Sequence, residues 1–107
     1  MHIEFTFHQM EPSDAIKAYA QDKLSKLEKY FRAPLDAQVR FSLEGHLHCV
    51  DVGIGVGGER HQGRAQQEDM YASIDVVVDK IQRQIHRAKE QHSNHRRGPL
   101  PGDTPGE

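Results

Sequence analysis

Lys80, Arg83 and Arg87 stand three and four residues apart in the stretch from Asp69 to Lys89, and in a helix that spacing gathers them within roughly 60° of one another. The chemistry open to such a flank is phosphate binding. Arginine suits it, because the planar guanidinium grips two phosphate oxygens at once. Asp75, Asp79 and Glu90 fall on the opposite flank at the same period. An ordinary solvated face mixes its signs, whereas this one sorts them. A second set, Lys23, Lys26 and Lys29, recurs upstream with Tyr19 and Tyr30 close by as groups able to stack on a base. Asp22 is placed to pair with Lys26 four residues on, which spends part of that charge within the helix.

Both sets need helices to carry them. Ile74, Val77, Val78, Ile81, Ile85 and Ala88 step by three and four and form the buried stripe of a helix running from Asp69 to Lys89. Ile16, Ala20, Leu24, Leu27 and Phe31 do the same from about Asp14 to Arg32, behind a start signal at Pro12 and Ser13 and ahead of a stop at Ala33-Pro34. The rest alternates with a period of two. Ile3, Phe5 and Phe7 make a first strand, and Val39, Phe41 and Leu43 a second. Val50, Val52, Ile54 and Val56 make a third, joined through Gly57-Gly58 to a fourth from about Arg60 to Gln66. The fourth strand turns only His61, Gly63 and Ala65 inward, which leaves room for a helix to lie close. The expected fold is α+β: a βαβββα chain with a four-stranded mixed sheet and both helices on its one apolar face. Residues 1–91 read as this domain. Residues 92–107, polar and rich in Pro and Gly with Arg96 and Arg97 near the start, read as a disordered tail.

The totals bound the function. Fourteen Lys and Arg stand against sixteen Asp and Glu, so an electrostatic role must rest on how charge is distributed. The single cysteine, Cys49, excludes an intramolecular disulfide, and the longest apolar run is far short of a membrane span. A cytoplasmic protein is expected. Gly53-x-Gly55-x-x-Gly58 matches a dinucleotide fingerprint by letter but lies inside an alternating strand and leads into another, without the helix that receives a pyrophosphate. His46, His48 and Cys49 are near in sequence, yet His48 and Cys49 point to opposite sheet faces, and His92-x-x-His95 falls in the tail. No nucleophile stands with a base and an orienting group. No enzyme, metal, cofactor or small-molecule substrate is therefore expected.

Two binding readings remain. One is a phosphate-tracking surface on the helix edges; the other is a protein-binding modulator whose polar sheet face or tail engages a partner protein. The element order also fits double-stranded RNA readers, but Glu68-Asp69 puts negative charge at the helix end that must straddle duplex phosphates.

Lys23-Leu24-Ser25-Lys26-Leu27-Glu28-Lys29-Tyr30-Phe31, the Gly57-Gly58 hairpin, and above all Asp69-Met70-Tyr71-Ala72-Ser73-Ile74-Asp75 with Asp79-Lys80-Ile81-x-Arg83-Gln84-Ile85 resemble the ribosome hibernation promoting factor and ribosome-associated inhibitor A family, over about Met1 to Gln91. The resemblance implies a protein that binds the small ribosomal subunit in the messenger and transfer RNA channel and silences ribosomes when growth stops. It places the rRNA contacts on Lys23, Lys26 and Lys29, and on Lys80, Arg83, Arg87 and Lys89. It implies the short form, without a C-terminal dimerisation domain. Two positions depart from the family pattern: His61 stands where an apolar residue is usual, and Glu90-Gln91-His92 where the second helix is usually more basic.

Overall fold

The computed structural model describes residues 1–97, with side chains through residue 88. The order is β1 (His2–His8), α1 (Asp14–Glu28), β2 (Asp36–Glu44), β3 (Leu47–Val56), β4 (Glu59–Gln67) and α2 (Met70–Arg97). The sheet runs β1-β2-β3-β4. β1 and β2 are parallel across the α1 crossover, while β2, β3 and β4 are antiparallel neighbours. The expected mixed sheet with two helices is therefore the one observed.

Both helices bury their stripes against one sheet face. Leu24 and Leu27 from α1, Val39 and Phe41 from β2, Val50 and Ile54 from β3, and Ile74, Val77, Ile81 and Ile85 from α2 form one core. Burying each such side chain contributes about 1.5–3 kcal/mol. α2 lies over β3 and β4. It comes close because Gly63 has no side chain: a Cβ there would stand 3.2 Å from Ile81 Cγ1 and from Val77 Cγ2. The small inward residues of β4 thus set the height of α2.

The turns follow their residues. Gly57 and Gly58 both have positive φ, 54° and 85°, as a two-residue hairpin of primed type requires. Ser13 caps α1, its Oγ accepting from the Ile16 amide at 3.2 Å. Asp69 caps α2, its carboxylate accepting from the Ala72 amide at 3.0 Å. The fully buried Ser73 then donates to the His48 carbonyl at 2.6 Å, fixing the first turn of α2 on β3.

Two boundaries differ from the expected ones. α1 ends at Glu28, not Arg32, because the Tyr30 and Phe31 amides reach back only three residues, to Leu27 and Glu28. Glu28 then accepts from the Leu35 amide at 3.2 Å and draws the chain toward β2. Phe31 still packs against the core, 6.4 Å from the His61 ring, so the apolar period outlasts the helix. α2 is longer than read. It continues through Arg97, so residues 92–97, assigned above to the tail, are helical. Residues 98–107 lie outside the described residues.

Candidate nucleic-acid interface

Helix placement decides which charges meet. α1 and α2 lie side by side, and the flank that α2 presents to α1 is its acidic one. Lys23 Nζ stands 3.5 Å from Asp75 Oδ1, and the Tyr19 hydroxyl donates to the same oxygen at 2.7 Å. Tyr19 is held on three sides, since Lys23 Nζ also lies 5.3 Å from its ring centroid and Tyr71 meets it edge-on at 5.0 Å. These contacts shift both groups. The hydrogen bond to Asp75 raises the Tyr19 phenol, and the attraction of Asp75 raises the Lys23 ammonium. Further along, Gln82 donates to the Tyr30 hydroxyl at 2.9 Å and His86 meets the Tyr30 ring at 5.1 Å. The tyrosines read as stacking groups are thus clamps between the helices.

The seven cations separate accordingly. Lys23 faces Asp75, and Lys26 pairs within α1 with Asp22 at 3.9 Å. Lys29 sits at the C-cap of α1, exposed and without an ion pair among the described residues. On α2, Lys80, Arg83 and Arg87 are all exposed. Arg83 turns back to Asp79 at 2.9 Å, with three quarters of its side chain still in solvent. An exposed pair of this kind adds only about 0.3–0.5 kcal/mol, so phosphate can displace the carboxylate. Arg87 has no ion pair among the described residues. The Lys89 side chain lies outside them.

Lys80 points away from α1. Its ammonium donates to the Arg64 carbonyl at 2.9 Å, and Gln84, one turn on, donates to the Gln62 carbonyl at 2.7 Å. These two residues cap alternate carbonyls on the free edge of β4, which otherwise offers a template for strand pairing. The Lys80 side of α2 therefore adjoins β4, while the lysine edge of α1 adjoins the acids of α2. The two basic flanks do not merge into one surface.

The histidines and the cysteine are placed elsewhere. His46 lies 4.0 Å from Glu68, Cys49 is fully buried on the outer sheet side, and His61 is buried beside Glu59 at 3.3 Å. Among the described residues no three of His, Cys, Asp and Glu stand together to hold a metal. The aromatic that sequence reading passed over is Tyr71, 38% exposed at the start of α2. Its signal was spacing: it lies one turn before Asp75, on the flank that meets Tyr19.

The chain matches the family model described as Sigma 54 modulation protein / S30EA ribosomal protein over residues 3–93. It is 32% identical to the ribosome hibernation promoting factor of Azotobacter vinelandii over 98% of each chain. It is 33% identical to that of Salmonella typhimurium, over 89% of this chain and all of the relative. Among solved structures, the Protein Y N-terminal domain of Thermus thermophilus superposes with a TM-score of 0.77 at 30% identity, covering 82% of this chain and 99% of that one. A ribosomal subunit interface protein from Coxiella burnetii shares the fold, with a TM-score of 0.73 at 22% identity over 84% of this chain and 99% of that one.

Proposed function

Because the chain belongs to the Sigma 54 modulation protein / S30EA ribosomal protein family, we propose that it is a ribosome-associated inhibitor of translation that works by occupancy. Its relatives carry the name of ribosome hibernation factors, not of enzymes. In this reading the partner is the small subunit, the site is the rRNA of the messenger and transfer RNA channel, and the setting is arrested growth in the cytoplasm. No described helix is long and apolar enough to cross a membrane.

The observation that carries the site assignment is the exposed Lys80, Arg83 and Arg87 edge on α2, where Lys80 reaches toward β4, Arg83 pairs only at the helix surface with Asp79, and Arg87 makes no ion pair among the described residues. Arg83 and Arg87 are the primary phosphate contacts. Lys80 adds charge while bracing β4, and Lys29 adds charge beyond the end of α1. Lys26 contributes once it exchanges Asp22 for phosphate. Lys23 is the weakest member, because leaving Asp75 breaks a contact between the helices. Lys89, two residues past Arg87 and so about 200° around the helix from it, would contact rRNA apart from the Arg83 and Arg87 edge. Residues 1–91 would form the binding domain.

The test is co-sedimentation of the chain with isolated small subunits, alongside cell-free translation. The expected result is stoichiometric pelleting at low salt together with inhibition. A chain that stays in the supernatant at low salt overturns the reading.

A further inference from the structure

The outer face of the sheet holds an open concavity of about 450 Å³, within the roughly 300–1,000 Å³ range of small-ligand clefts. Its floor exists because Gly53, in the middle of β3, has no side chain. In register with it stand Gln38 on β2 and Gln62 on β4, with Glu4 beyond Gln38 on β1. This row is two amides flanking a gap.

Two arginines sit diagonally across the same gap. Arg40 lies opposite Asp51, and Arg60 opposite Gly55. Two strand spacings across and four residues along put their Cα atoms roughly 16 Å apart. Both are exposed and make no ion pair among the described residues. Arg64 differs: it is held by Glu44 at 2.9 Å and by Asp51 at 3.2 Å, and their charge raises its guanidinium. Asp51 still lines the concavity, but its charge is balanced there by Arg64. Two uncommitted cations then face one uncommitted carboxylate, Glu4.

We propose that this concavity is a second nucleic-acid site, one that takes an unpaired ribonucleotide with its flanking phosphates. The base lies over Gly53, where its edge meets the Gln38 and Gln62 amides and Glu4, groups that offer both donors and acceptors. Arg40 and Arg60 take the phosphates on either side, and an arginine plane can also stack on a base. A duplex does not fit, because one side-chain gap admits one extruded base. The site is reached from the α2 edge across β4, whose Gln62 carbonyl is already held by Gln84. It uses none of Lys80, Arg83 and Arg87, so it stands or falls separately from the helix-edge reading.

The test is a heteronuclear NMR titration of the full chain with a single-stranded RNA hexanucleotide. Expected are saturable shifts of the Gly55, Gln38 and Gln62 amides that weaken with salt. They should vanish in Arg40→Ala/Arg60→Ala and in Gly53→Val, and persist in Arg83→Glu/Arg87→Glu. Gly53 has ordinary space, since an added Cβ would first meet Gln38 Oε1 at 3.7 Å. Should Gly53→Val fail to fold, Gly53→Ala serves, with weakened shifts expected. Absent shifts in the wild type, shifts unchanged in the Gly53 variants, or their loss in Arg83→Glu/Arg87→Glu would each overturn the proposal. Equal shifts with inorganic phosphate or an acidic peptide would overturn it too.

Discussion

The Lys23 ammonium of α1 lies 3.5 Å from the Asp75 carboxylate of α2. The packing of the two apolar stripes sets this pair: it turns Asp75 and Asp79 of α2 toward the lysines of α1 and leaves Lys80 over the β4 edge. The concavity between the helices is walled by Lys23 and Lys26 on one side and Asp75 and Asp79 on the other. A polyanion lying across both helices would pass over these acids as well as the lysines.

Asp75→Ala tests that relationship. The Tyr19 phenol is raised first by its hydrogen bond to Asp75, and Lys23 is raised by the charge of Asp75. Groups raised on folding stabilise fully below their unfolded values, about 10 for both, and that contribution is lost as pH rises through the folded values. The variant should therefore titrate Tyr19 earlier by ultraviolet absorbance. It should also lose less stability than wild type on going from neutral to strongly alkaline pH. An unchanged Tyr19 titration would mean that the contact does not persist in solution.

Glu28→Gln tests the early end of α1. The Glu28 carboxylate is lowered chiefly by the Leu35 amide, against an opposing effect of burial. A lowered acid stabilises above its unfolded value, about 4.3, and that contribution disappears as pH falls through the folded value. Between pH 6 and pH 3 the variant's Tm should fall less than that of wild type. Parallel Tm curves would contradict the assignment.

Much of the fold was legible because apolar period and turn residues agreed. Ile3, Phe5 and Phe7 alternate, Gly57-Gly58 turns, and Ile74 to Ile85 form a stripe, so each local preference pointed to one topology. What sequence could not supply was helix rotation relative to a neighbour. Lys23 and Asp75 are 52 residues apart, and only packing brings them together. The end of α1 was misjudged because Phe31 keeps the helical period after the backbone has left it. The outer-face concavity was half visible: Gly53 and Gly55 stand out as glycines inside an alternating strand, but its walls come from four different strands.

Gly63→Val tests the close approach of α2. A Cβ already stands 3.2 Å from two core side chains, so two further methyls must push α2 outward. Overpacking of this kind costs about 1–3 kcal/mol. Gly53→Ala on the same sheet's outer face should stay within about 0.5 kcal/mol of wild type. Denaturant unfolding of the two variants side by side measures the difference, and equal midpoints would contradict the packing described.

The measurement closest to the central claim is the salt dependence of small-subunit binding for wild type and for Arg83→Glu/Arg87→Glu. Both arginines are exposed and make no contact with the core, so the variant should fold as wild type does. Each lost phosphate contact lowers the slope of log K against log salt by about one. Binding of the variant should be weaker at every salt concentration, with a slope shallower by about two. The same affinity and slope as wild type would place the ribosome contact somewhere other than the α2 edge.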